Sequence, residues 1–171
     1  MPGQGFCFKK NFFPFDSNAN SAEVHFPKSF VIVAPYALAM IAAWSEECHK
    51  RNVKVECLVD EEKNLKVLNY AWRMNLMEFM RISYDPGHTK HEPSGRFIPL
   101  TKIATSDELE SFLINVIPLL HVPPESFNPL RYCFSELIRN VLEHAGPFVP
   151  AYACVAHAVN PCYILRMECG E

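Results

Sequence analysis

Two carboxylates, a carboxamide and an imidazole stand close together late in this sequence, at Glu136, Asn140, Glu143 and His144. Around them Leu130, Phe134, Leu137, Ile138, Val141, Leu142 and Ala145 recur at spacings of three and four. That is the period of a helix with one apolar face, and the face reads as core. At about 100° per residue, Glu136, Asn140 and Glu143 fall within about 60° of one another along its edge, with His144 one step nearer the core. A carboxylate so placed can orient or deprotonate a water, and an Asn side-chain oxygen can ligate a hard cation such as Mg²⁺. The same spacing also describes the solvated edge of any amphipathic helix, and spacing alone favours that plainer reading.

The elements that must hold this helix are legible on both sides of it. Thr105 and Glu108 have the capping-box spacing that opens a preceding helix, whose apolar stripe is Leu109, Phe112, Leu113, Val116 and Leu120. Pro118 is expected to kink its last turn, and Pro123-Pro124 to break the chain before the second helix, over about 128–145. Gly146-Pro147 stops that helix. Tyr152 to Val159 and Cys162 to Met167 read as strands joined at Asn160-Pro161, and Arg96 to Ile103 as an extended segment before the first helix.

The run Ser135-Glu-Leu-Ile-Arg-Asn-Val-Leu-Glu-His-Ala145 resembles the N-box helix of the GHKL, or histidine-kinase-like, ATPase family, which reads E-L-x-x-N-x-x-x-H-A. The resemblance implies Mg²⁺-ATP as cofactor. Glu136 would be the catalytic residue, orienting water or acting as base; Asn140 would hold the metal; and His144 would join Asn140 in binding the nucleotide. Downstream, Tyr163-Ile-Leu-Arg-Met-Glu-Cys-Gly170 is similar to the strand entering the family's next box, D-x-G-x-G, which adds Glu168 and Gly170 to the cofactor-binding set. Glu168 stands where the family has Asp, and the sequence stops at Glu171, before the second Gly of that box. The expectation is therefore either a fragment of a longer polypeptide or a shortened relative, inactive as this chain alone, that keeps a scaffold or partner surface.

The first half alternates strand and helix. Residues 1–28 hold Pro2, Gly3, Gly5, Pro14 and Pro27 and the polar cluster Asp16 to Ser21, so an arm or linker without a regular element is expected there. Ser29 to Ala34 reads as a buried strand, Tyr36 to Arg51 as a helix ended by Asn52, and Val53 to Val59 as a strand of period two. A helix of that length between two apolar strands predicts a parallel crossover. Asn69 to Met80 reads as one further helix, apolar nearly all round and hence core. This β-α-β-α order resembles STAS domains, and His91-Glu-Pro-Ser-Gly-Arg-Phe-Ile-Pro-Leu100 resembles the linker joining such domains to this ATPase type in bacterial regulators.

The loop Asp85 to Gly95 divides the chain into an α/β or α+β protein of two parts: a STAS-like lobe over 29–90 and a partial histidine-kinase-like lobe over 96–171. A single continuous mixed domain is the competing architecture. Within the loop, His88, His91 and Glu92 offer at most three metal ligands without a closing fourth, which reads as a solvated loop. Seven cysteines form no C-x-x-C pair, lie mostly among apolar neighbours and show no nucleophile signature.

The chain has 171 residues and 19.5 kDa, with 49% hydrophobic and 20% charged residues, values of a folding globular chain that exclude disorder and fibres. A net charge of −3 supplies no field for a phosphate backbone, so no nucleic-acid partner is expected. No apolar run approaches the ~20 residues that cross a bilayer, and the first fifteen residues lack a signal-peptide pattern, which together with the cysteines reads as a cytoplasmic protein. Two functions stay open: an ATP-binding regulator of the anti-sigma type whose nucleotide state controls a protein partner, or a non-enzymatic interaction module. The apolar strand at 162–167 adds the expectation of self-association or a missing partner.

Overall fold

A computed structural model describes residues 20–26, 35–58, 61–90, 97–145 and 149–156. Strand β1 (Ser21–His25) runs into helix α1 (Pro35–Lys50), which leads back to β2 (Lys54–Leu58). The two strands pair in parallel, Ser21 opposite Lys54 through His25 opposite Leu58, so α1 is the crossover. β1 lies inside the stretch expected to be an arm, because Val24 and Phe26 bury although polar residues surround them, whereas the expected strand at 29–34 lies outside the described residues.

Helix α1 buries Ala37, Leu38, Ile41, Ala42, Ser45 and Cys48 on one side. It ends as its sequence predicts. Asn52 takes a left-handed φ of 59°, its N–H donates to the His49 carbonyl at 3.1 Å and the Val53 N–H to the Cys48 carbonyl at 2.9 Å. These two bonds satisfy carbonyls that the helix end would otherwise leave open. In β2 the period of two places Val53 and Val55 inward, while Lys54 and Glu56 pair outside at 2.8 Å.

The single helix expected over 69–80 is two helices, α2 (Glu61–Arg73) and α3 (Leu76–Met80). The chain bends at Asn75, whose φ of 64° is one that Asn tolerates better than most residues. The start is earlier than expected because the polar residues that open α2 carry no apolar period. Val67, Leu68, Ala71, Met74, Leu76, Met77 and Met80 are buried, so the aromatic and Met-rich stretch is core, as its composition implied. A loop from Ile82 to Lys90 follows.

The second half is β3 (Phe97–Ile103), α4 (Ser106–Leu119), a 3₁₀ turn (Pro124–Ser126), α5 (Phe127–His144) and β4 (Ala151–Ala156). The capping box is formed: Thr105 Oγ1 accepts from the Glu108 N–H at 3.2 Å and the Glu108 carboxylate accepts from the Thr105 N–H at 3.1 Å. Pro118 sits in the final turn of α4. Strands β3 and β4 pair antiparallel with one irregularity, since Ile98 faces Val155 but Thr101 faces Ala153.

That extra residue, at Pro99–Leu100, reverses the inward and outward sense of β3. Ile98 and Ile103 therefore join Ala151, Ala153 and Val155 against α4 and α5, while Leu100 joins Cys154 on the opposite face against α1, α2 and α3. The β3–β4 ribbon is thus a wall common to two hydrophobic cores. The architecture is mixed helix and strand, and among the described residues no helix is long and apolar enough to cross a membrane.

Candidate functional site

Helix α5 is positioned from two sides. Ile138 and Val141 are buried against α4 and the ribbon, with Leu130, Phe134, Leu142 and Ala145 packed half-buried around them. The Arg131 guanidinium pairs with the Glu110 carboxylate of α4. Pro129 falls in the first turn, where its missing N–H costs no helical bond, and the Ala145 N–H closes the end on the Val141 carbonyl at 3.0 Å. The expected core face is narrower than its sequence: Leu137 is 42% exposed. It stands about 100° from Ile138, beyond the strip that α4 and β4 reach.

The polar residues of this helix lie outside the covered strip. Glu136 and Asn140 are half-buried, and Glu143 and His144 are exposed. One helical turn separates Glu136 from Asn140, about 6 Å along the axis. Among the described residues no hydrogen bond or ion pair engages the side chains of Glu136, Asn140, Glu143 or His144, so their oxygens and ring nitrogens are open to a ligand or to water. Glu168 and Gly170 lie outside the described residues.

A hard divalent cation such as Mg²⁺ keeps several waters and phosphate oxygens and takes only one or two protein oxygens. One carboxamide oxygen one turn from an unengaged carboxylate fits that demand, whereas an all-protein metal cage does not: among the described residues no three His, Cys, Asp or Glu side chains cluster. His91 and Glu92 lie outside the described residues; the His88 ring rests edge-on against Trp72, centroids 5.6 Å apart.

A second polar constellation has no signal in the sequence. Glu46 of α1 accepts hydrogen bonds from the Tyr152 hydroxyl of β4 and the Lys102 ammonium of β3. Burial acts to raise the Glu46 carboxyl, but the bonds from Lys102 and Tyr152 and the charges of Lys102 and Lys50 outweigh it and leave the group below its ordinary range. Burial and the Glu46 carboxylate push the Tyr152 phenol up. The three residues lie 56 and 106 positions apart, so only the paired strands and the crossover bring them together.

Burial also pushes the thiols of Cys48 and Cys57 up to about 11, aided at Cys48 by Glu47, so both are protonated thiols at neutral pH and poor nucleophiles. Cys133, on α5, is exposed. Neither a family model, nor a curated protein, nor a solved structure matches this chain.

Proposed function

We propose that this chain is an ATP-binding regulatory protein of the histidine-kinase-like, anti-sigma type, in which Mg²⁺-ATP on α5 biases contact with a protein partner. The observation that carries the reading is that Glu136, Asn140 and His144 of the run E-L-x-x-N-x-x-x-H-A stand on the last turns of one uninterrupted helix, anchored by buried Ile138 and Val141, with the Glu and Asn side chains unengaged among the described residues. Mg²⁺-ATP, when bound, supplies the phosphoryl group and the charge that neutralises it. Asn140 would hold the metal through its side-chain oxygen, His144 would line the nucleotide, and Glu136 would accept a proton from a water. Glu168 and Gly170 would complete the adenine end. On this reading residues 29–90 form a STAS-like lobe attached to the nucleotide lobe.

Calorimetric titration of Mg²⁺-ATP tests it. Wild type is expected to bind, Asn140→Ala to lose at least about tenfold in affinity, and Glu136→Gln to keep affinity while losing any turnover. Equal binding by wild type and Asn140→Ala refutes the assignment.

A specific observation favours a second reading, the interaction module without turnover. Ile114 of α4 and Tyr132 and Leu137 of α5 are 62%, 66% and 42% exposed, large apolar side chains left in water on both helices of the second core. On that reading these side chains are covered by a partner or a second copy, and Mg²⁺-ATP produces no heat in the titration.

A further inference from the structure

Among the described residues, the β3–β4 ribbon contributes to both cores and stands between them. On one face of β4 stand Ala151, Ala153 and Val155, against α4 and α5; on the other stand Tyr152 and Cys154, against α1. The residues that β4 turns toward this core are small, so β4 itself offers no long side chain that could bend to absorb a shift of α5. In an interior packed to crystal density, such a shift passes to the strand itself.

The far face of the strand is fastened at defined points. The Tyr152 hydroxyl and the Lys102 ammonium both bind Glu46, the Cys154 thiol donates to the Pro35 carbonyl at 3.3 Å, and Tyr152 meets the Phe79 ring edge-on at 5.8 Å. Strand β3 is tied in the same direction: the Leu100 N–H, turned out of the ribbon by the bulge, donates to the Met74 carbonyl at 3.0 Å, and Arg73 lies over the Phe97 ring at 5.1 Å.

We infer that the ribbon, fastened by the Glu46–Tyr152–Lys102 clasp, energetically couples the outward face of α5 to α1, so that a ligand held on α5 is felt at the first core. The ligand's identity rests on the reading proposed above; the coupling does not. The polar clasp is suited to this part because its strength depends on donor and acceptor position. A displacement of β4 that turns the Tyr152 hydroxyl away from the line to the carboxylate weakens that bond, because hydrogen bonds depend on direction as well as on distance.

Hydrogen–deuterium exchange read by mass spectrometry separates the two claims. In the ligand-free protein, Val141→Ala loosens α5 on the ribbon and Tyr152→Phe removes the bond that ties β4 to Glu46. Each is expected to speed exchange of the α1 amides by about tenfold, and the double variant by clearly less than the product of the two. Rates that multiply refute the coupling, whatever the ligand; Glu46→Gln, which keeps size but offers one acceptor oxygen where the carboxylate offers two, provides the second clasp variant. With Mg²⁺-ATP added to wild type, slowing in both α5 and α1, confined to α5 in Tyr152→Phe, is the expected result. Slowing in α5 alone in wild type overturns the coupling and leaves the nucleotide reading intact. No slowing anywhere, with non-multiplying rates in the ligand-free set, overturns the nucleotide reading and upholds the coupling.

Discussion

Three neighbouring alanine substitutions on α5 measure which way the helix faces, on which the site depends. Ile138 is 3% exposed and sits among Val141, Leu142 and the small residues of β4. Its truncation removes buried methyl groups and leaves a void that α4 and the ribbon cannot fully close, a loss of about 2–5 kcal/mol. Leu137 is 42% exposed. Full burial of a leucine is worth about 1.5–3 kcal/mol, so with roughly half of that surface in water the loss falls to about 1 kcal/mol. Asn140 is half-buried and makes no side-chain hydrogen bond among the described residues. Alanine there improves helix propensity by up to about 0.7 kcal/mol, so stability holds or rises slightly. Urea unfolding followed by far-ultraviolet circular dichroism resolves this span, provided the denaturant slopes agree among the variants. A Leu137→Ala loss equal to that of Ile138→Ala refutes the reasoning, since it requires Leu137 to be covered. An Asn140→Ala loss above about 1 kcal/mol does the same for the polar stripe, because it requires a structural partner for the amide.

The clasp predicts an acid limb. Glu46 is held below its ordinary value in the fold, so its contribution is present above the unfolded carboxyl value of about 4.3 and lost as pH falls through the folded one; urea midpoints measured down the acid range should decline less steeply in Glu46→Gln than in wild type. Thr105→Ala removes the acceptor for the Glu108 N–H and should cost about 1 kcal/mol in the same unfolding assay. Maleimide labelling at neutral pH with peptide mapping should reach Cys133 well before buried Cys48 or half-buried Cys57, and equal rates would contradict that difference in exposure.

Local signals carried a good part of this fold. The capping pair Thr105 and Glu108, the Asn52 helix stop and the alternation of Val53 and Val55 depend on residues within a few positions of one another, and such interactions form in the same way wherever the segment is placed. The run over 136–145 is local in the same sense, because helix geometry alone sets Glu136 and Asn140 one turn apart. The sequence pattern also suggests a parallel crossover, but not the strand at Ser21–His25: β1 is short and largely polar, and its partner β2 makes a strand of it.

What only the tertiary structure decided is which surfaces are covered. Ile138 and Leu137 are adjacent and both apolar, and their periodicity admits both to the core; the width of contact offered by α4 and β4 admits one. Leu100 goes to the first core and not the second because of a single extra residue in β3, which no apolar pattern announces. Glu46, Lys102 and Tyr152 meet because a crossover helix and an antiparallel pair close distances of 56 and 106 residues, and contacts at that separation leave no trace in local spacing.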